Sequence, residues 1–596
     1  MFVRYETISA RRTIMLNNKW FFSLEVCEKN MTSIPAGARE FSFPSKNIID
    51  LDTVAGTTGK QDDECIVYNE FELESDKNLA FGCGADWWFD FYLNGELLWA
   101  TPAAGNGDSC FADSYIFPGK GKAGKNLIAI KVRRGYASWT LAVRELKAAV
   151  CDSTSPLVIT LDTAQLTGPV KIMNAVNNGP IKGRGDQTRG NMPLWQAASI
   201  PYARNHDASF CSAYGGEHTV DVHSIFPDFS NDVNDPASYD FTLTDRYIQE
   251  TFEGGTETFY RLGSKIEHAP KKYGTKVPPD FQKWAEICEH IIRHYNEGWG
   301  DGFEYNIKYW EIWNEPDLSS GREDKKTWQG TDEEFFELYK VAATHLKKCF
   351  PYIKIGGPAL AGNLEWMKQF LAAITQYERT PLDFFSWHIY TSSPRHFGTK
   401  GNIVRQILDS FGYKDAESIL NEWNYVRGWT TDFIYSIQQI IGIKGAAFTA
   451  SCMCEGQHSP TDMLMYYDAR PTGFNGLFDL YSFKPLKTYF VFLIWKKLAD
   501  LGQTFAVDTD EKCGISAVGA TDGKGKHGLL ISRYFEEDEL PAELPLTIAG
   551  KGNELDKAKL YVIDEEHDLQ EVPFWRDGAG NIFFPMKANT VAYLEF

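Results

Sequence analysis

The order of strand-like and helix-like runs predicts a multidomain chain: a central (β/α)8 TIM barrel over 156–500, an N-terminal jelly-roll-like β-sandwich over 1–155 and a C-terminal β-sandwich over 501–596. Three observations carry this expectation. Up to about residue 150, short alternating aromatic-rich runs are separated by Gly, Asn and Asp, the texture of strands and turns. From about residue 168, apolar runs alternate with helix-like stretches, as the repeated β-α units of a parallel sheet do. After about residue 500 the helix-like stretches stop and alternation returns.

In the first segment the clearest piece is 86–99, where Asn94-Gly95 lies between two apolar runs and reads as a hairpin turn. The run 126–133 alternates as a half-buried strand should. Candidate barrel strands are 170–175, 200–206, 257–262, 307–313, 353–357, 384–388, 418–422 and 445–451. Helix-like stretches between them include 279–295, 332–349, 364–377 and 433–441, and eight such units are what a closed (β/α)8 barrel requires. An open doubly wound sheet usually begins with a Gly-rich phosphate loop, and none follows the first strand. In the last segment 527–533, 559–563 and 591–596 alternate again; 157–166 reads as a strand for the same sandwich, so 156–168 is assignable to either neighbour.

Composition limits the partners. A chain of 596 residues exceeds what one core supports, and 43% apolar content suits a globular protein. Eighty acidic against 60 basic residues give a formal charge of −20, which repels nucleic acid and anionic membranes and leaves neutral ligands. Seventeen Trp and 28 Tyr offer flat rings for packing and for stacking on sugar faces. Eleven cysteines cannot all be bridged, which favours a reducing, cytoplasmic setting; a periplasmic or secreted one stays open if a leader was removed. Cys452 and Cys454 stand alone, too sparse for structural zinc. No run approaches the roughly 20 apolar residues of a membrane helix, so a soluble chain is expected. Oligomeric state is not legible.

Barrels place their chemistry at the carboxyl ends of the strands. Strand four ends Tyr309-Trp310-Glu311-Ile312-Trp313-Asn314-Glu315-Pro316-Asp317 and strand seven ends Ile419-Leu420-Asn421-Glu422-Trp423-Asn424. Two glutamates at one mouth can face each other across a bound glycoside. Glycoside cleavage needs such a pair, one to protonate the leaving oxygen and one to meet the anomeric carbon. The carboxyls sit roughly 5 to 5.5 Å apart in retaining enzymes and further apart in inverting ones.

At these residues a resemblance becomes specific. Trp-Asn-Glu-Pro at 313–316 is identified as the clan A signature of glycoside hydrolases, completed by the carboxylate of strand seven. The closer similarity is to family 39, that of β-xylosidases and α-L-iduronidases. It is carried by Asn174-Ala-Val-Asn-Asn-Gly-Pro180, Trp310-Glu-Ile-Trp-Asn-Glu-Pro316, Ser386-Trp-His-Ile-Tyr390 and Leu420-Asn-Glu-Trp-Asn424. The N-terminal segment is similar to the jelly-roll domains that precede the barrel in many bacterial glycosidases.

The resemblance implies catalytic roles for Glu315, as acid/base, and Glu422, as nucleophile. Asn314 would bond the hydroxyl beside the anomeric carbon and Tyr390 would orient the nucleophile. Asn178, His206, His388 and Trp423 would line the pocket. His206, His218 and His223 are read as hydrogen-bonding groups rather than metal ligands, and about half of Trp310, Trp313, Trp387 and Trp423 as core. No metal or other cofactor is expected, because proton transfer and carboxylate attack complete the reaction.

Two long connections, from His206 to Glu257 and from Cys452 to Tyr467, predict walls around the mouth and hence exo action. The expectation is a retaining, exo-acting hydrolase of a pentose-containing, plant-type oligosaccharide or polysaccharide, β-xylosidase- or arabinosidase-like. The alternatives are an endo-acting exopolysaccharide hydrolase and a non-catalytic glycan-binding barrel.

Overall fold

The computed structural model describes residues 16–596 except 17, 43–47, 102–109, 111–114, 136–137, 147–156, 184–189, 207–219, 319–324, 431, 510–513, 537–542 and 552–553. Two compact units divide the chain: Met1–Asp152 with Arg427–Phe433, and Ser153–Val426 with Ile434–Phe596.

In the first unit a six-stranded and a four-stranded sheet, both antiparallel, share one core that includes Phe22, Val67, Phe81, Phe91, Ile130 and Leu141. Strands Trp88–Leu93 and Glu96–Ala100 form the hairpin expected from Asn94-Gly95. Both turn residues have left-handed backbone, φ 54° and 82°, which is the geometry this dipeptide favours. Strand Gly124–Arg133 departs from the half-buried expectation. It lies in the middle of its sheet; Ile128 and Ile130 face the shared core, while Leu127 and Ala129 join Met31, Ile66 and Tyr68 on the other face.

The second unit contains the barrel. Strands one to eight are Ile172–Asn177, Tyr202–Arg204, Glu257–Leu262, Tyr309–Ile312, Lys354–Leu360, Phe384–Thr391, Glu417–Tyr425 and Met463–Tyr466, each parallel to the next, with the eighth closing on the first. Seven fall where expected to within a few residues. The eighth is a correction: 445–451 lies inside helix Ile443–His458, and the true strand sits in what reads as a polar connection. That helix is buried on nearly all sides between the barrel and the C-terminal sheet. It therefore lacks the polar face that separates a helix from a buried strand. The wall expected between Cys452 and Tyr467 is thus the end of this helix followed by strand eight.

Strand Leu157–Pro169 precedes the barrel in the chain yet pairs antiparallel with Gln503–Thr509 and parallel with Leu544–Ala549. With the C-terminal strands it forms one continuous ten-stranded sheet. One face encloses a core that includes Ile159, Leu529, Ile548 and Phe584. The opposite face, through Val518, Leu530 and Tyr593, joins the core of the barrel helices.

Inside the barrel the floor is apolar, made by Ala175, Phe259, Tyr309, Phe384, Ile419, Met463 and Met465. Two residues further along several of these strands, the period-two rule brings the next inward side chains: Asn177, Arg204, Glu311, Ser386 and Asn421. All five are buried. The mouth lies above this polar layer.

Candidate active site

The polar layer centres on Arg204, whose side chain has no exposed surface. It donates from Nε to Glu311 Oε2 (2.7 Å), from Nη1 to Asn177 Oδ1 (3.1 Å) and Glu422 Oε2 (3.2 Å), and from Nη2 to Asn314 Oδ1 (2.7 Å). The other oxygen of Glu311 accepts from Ser386 Oγ (2.6 Å) and Asn421 Nδ2 (2.5 Å). A buried ion pair recovers its desolvation cost only when its remaining hydrogen-bonding capacity is satisfied, and here partners on five strands supply it.

Glu315 is set by the backbone after strand four. Trp313 and Glu315 both have left-handed φ, 75° and 49°. Each such non-glycine residue costs on the order of 1–3 kcal/mol. The turn is held by Trp313 N–H to Leu262 O (2.8 Å), Glu315 N–H to Ala359 O (2.9 Å) and Thr327 Oγ1 to Glu315 O (2.6 Å). Asp317 then accepts from the N–H groups of Ala361, Gly362 and Asn363 at 2.8–3.1 Å, tying the turn to the loop after strand five.

Glu422 is set by a β-bulge. Strand six pairs Trp387 with Leu420 and His388 with Glu422, so Asn421 is the extra residue. A bulge resets the alternation: Asn421 reaches the polar layer and Glu422 the mouth, each bonded to groups inside the barrel. Tyr390 donates to Glu422 Oε1 at 2.6 Å. His388 Nδ1 lies 2.8 Å from Glu315 Oε1, and its Nε2 lies 3.8 Å from Glu422 Oε2. One oxygen from each glutamate and one His388 nitrogen all lie within 4.8 Å of one another. These three groups are also a set that a divalent ion accepts, although the guanidinium of Arg204 already provides a positive charge against Glu422.

Burial pushes the Glu422 carboxyl above the ordinary carboxylate range; the nearby Glu315 adds to this, while His388, Arg204 and the Tyr390 hydroxyl pull the other way. Burial pushes the His388 imidazole down to about 4, so the ring is neutral near neutral pH. The same burial raises the Tyr390 phenol, which stays a donor.

Of the residues expected at the site, Glu315, Glu422, Asn314, His388 and Tyr390 are brought together. Asn178 is buried beside them at the end of strand one, its backbone N–H bonded to Arg204 O (2.6 Å), while its neighbour Asn177 holds the guanidinium. His206, also buried, is bonded through Nδ1 to Arg261 Nε at 3.3 Å. Trp423 is a correction. It points outward into the helix layer between Phe397 and Tyr466, with ring centroids 5.1 and 5.2 Å away, because it is the residue after the bulge. Trp310, Trp313 and Trp387 are likewise buried, so all four tryptophans are core rather than half of them. His218 lies outside the described residues. Arg204, Glu311, Asn177, Ser386 and Asn421 were not anticipated. Their signal was the polar residue two places beyond an apolar inward residue on each strand.

The barrel matches the model of glycosyl hydrolases family 39 over residues 170–422. A β-xylosidase of Geobacillus stearothermophilus is 31% identical over 167 residues, 26% of this chain and 32% of that protein. A β-xylosidase of Caldicellulosiruptor saccharolyticus is 31% identical over 157 residues, 26% of this chain and 28% of that protein. The chain thus spans about a third of the length of the curated relatives it matches. In fold it is similar to a glucosidase from Croceicoccus marinus (TM-score 0.60, 23% identity, 74% of this chain and 99% of that one). It is similar also to a monomeric β-xylosidase from Caulobacter crescentus CB15 (TM-score 0.53, 17% identity, 74% and 99%). The matched span contains both glutamates, His388 and Arg204, and over it this barrel is similar to family 39 of the glycosyl hydrolases.

Proposed function

We propose that this chain is a retaining glycoside hydrolase, exo-acting on a pentose-containing glycan such as a β-xyloside, with Glu315 as acid/base and Glu422 as nucleophile. The observation that carries the reading is the approach of the two carboxyls, whose facing oxygens lie within 4.8 Å of each other. A short separation of this kind supports retention, in which the carboxyls sit roughly 5 to 5.5 Å apart, over the wider gap of an inverting enzyme.

In the first step Glu315 gives its proton to the glycosidic oxygen while a Glu422 oxygen attacks the anomeric carbon. The carbon–oxygen bond breaks, the leaving group departs as an alcohol, and a glycosyl ester forms on Glu422. In the second step the Glu315 carboxylate takes a proton from water, the water oxygen attacks the anomeric carbon, and the ester bond breaks to restore Glu422. Neutral His388 serves Glu315 in both states, donating from Nδ1 to the carboxylate or accepting at Nδ1 from the acid. Arg204 fixes the Asn314 amide through its oxygen, which orients the nitrogen toward a substrate hydroxyl.

Exo action is supported by the enclosure of the pair, whose side chains are 13% and 9% exposed. A xyloside substrate is supported by the names of the curated relatives.

The test is a screen of nitrophenyl glycosides and oligosaccharides, with the anomer of the first product read by NMR. Retention with monosaccharide release from the first minute is expected; an inverted product or a ladder of oligomers overturns the corresponding part. Glu422→Gln is expected to abolish turnover while the chain still folds and unfolds cooperatively. Unchanged turnover removes Glu422 as nucleophile.

A further inference from the structure

Two successive barrel helices, Phe281–Glu297 and Asp332–Cys349, bring a carboxylate, an imidazole and a thiol together outside the catalytic pocket. His345 and Cys349 are four residues apart on the second helix, which puts both on one face, and Glu289 comes from the first. His345 Nε2 lies 2.6 Å from Glu289 Oε2 and 3.8 Å from Cys349 Sγ, and one donor atom from each residue lies within 4.8 Å of the others. We propose that Glu289, His345 and Cys349 form a binding site for Zn2+, or a divalent ion of the same borderline softness, that staples these two helices together.

The donor set selects the ion. Calcium and magnesium take six or more oxygens, whereas imidazole and thiolate with one carboxylate are zinc ligands. Ligand atoms at zinc–ligand lengths of about 2.0–2.3 Å around a tetrahedron stand roughly 3.3–3.8 Å apart. The His345–Cys349 distance is already in that range, and the His345–Glu289 distance reaches it by opening roughly 0.7 Å. A water takes the fourth position.

The surroundings orient two of the ligands. Arg293 holds Glu289 Oε1 from Nε (2.8 Å) and Nη2 (2.7 Å) and lies over the Phe350 ring, 5.0 Å from its centroid. Glu289 is therefore fixed by one oxygen, with the other turned to His345. Gln282 Nε2 lies 3.1 Å from both Glu286 Oε1 and His345 Nδ1, so Nδ1 accepts from the amide and an ion at Nε2 requires the ring proton to leave that nitrogen. Binding replaces the Cys349 thiol proton, which leaves to solvent, and the single imidazole proton moves from Nε2 to Nδ1 as the Gln282 amide gives way.

The experiment titrates the full chain with Co2+ as a spectroscopic probe and with Zn2+ in competition, following absorbance and thermal unfolding. Wild type is expected to show a thiolate-to-cobalt charge-transfer band that Zn2+ displaces, and a Tm that rises with Zn2+. Cys349→Ser is expected to lose the band and the Tm response while keeping glycosidase turnover. His345→Gln is expected to weaken binding by more than the ~10–100-fold that changes around a ligand cost. A band that persists in Cys349→Ser, or binding without a band, places the ion elsewhere and overturns the proposal. The site stands on its own residues, so an inactive wild type that binds the ion this way leaves the proposal intact.

Discussion

At Glu422 one carboxyl is raised by burial and by Glu315, and is opposed by His388, Arg204 and Tyr390. In the proposed role of nucleophile Glu422 must be ionised, so a raised value means that activity is lost as pH falls through a point above the ordinary glutamate value of about 4.3. The acid limb of kcat/KM is therefore expected above that value. Removing the Tyr390 hydroxyl removes a donor to the charged form, and such a bond contributes about 1.5–3 kcal/mol. Tyr390→Phe is then expected to move the acid limb to higher pH by about one to two pH units, at 1.36 kcal/mol per unit. A pH profile unchanged in position, with turnover merely scaled down, would show that Tyr390 is not tuning the carboxylate. His388, already neutral above about 4, contributes no limb near neutral pH. The two glutamates that meet at the mouth were legible as strand-end residues because Asn-Glu follows a strand at both. The side of the barrel taken by Trp423 was not, because one bulge shifts every later residue of strand seven by one face.

Strands two, four, six and seven meet through Arg204, Glu311, Ser386 and Asn421, and this layer is the scaffold on which the mouth rests. Deleting one partner leaves the other charge buried and unpaired, which costs about 3–5 kcal/mol. Glu311→Gln keeps the shape but removes the charge opposite Arg204. It is expected to lower stability by about that amount in denaturant titration, with a matching loss of turnover as Arg204 is released toward Glu422. A variant that unfolds at the wild-type midpoint would mean the layer is not a stabilising unit. Most strands were legible from apolar runs. The failure at 445–451 has a physical cause: a helix buried on nearly every side presents apolar residues without the 3.6-residue polar interruption. Strand eight, only four residues long, offered too little pattern to compete with it.

Across the second unit, the chain enters the ten-stranded sheet at Leu157–Pro169, builds the barrel, and returns to the same sheet at Gln503–Thr509. Sheet and barrel helices share a core through residues such as Val518, Leu530 and Tyr593. Ending the chain after residue 502 removes the partners of strand Leu157–Pro169 and uncovers helices Ile443–His458 and Lys487–Leu501. Such a truncation is expected to lose cooperative unfolding and to bind a hydrophobic dye. A truncated barrel with a sharp transition and wild-type turnover would show that the sheet is dispensable. Among the described residues, no helix is long and apolar enough to cross a membrane.

The order of β and β-α segments, the two glutamates and their neighbours His388 and Tyr390 follow from local pattern, because strand period and strand-end position are properties of a few consecutive residues. Which residues share a layer, and with which partner, is decided by closure of the barrel. Arg204 meets Glu311 107 positions along the chain and Glu422 218 positions along it, through strand stagger and a bulge that no local run encodes. The same holds for the strand at 157–169, whose partners lie more than three hundred residues downstream and whose place is fixed only when the apolar faces of sheet and helices are buried together.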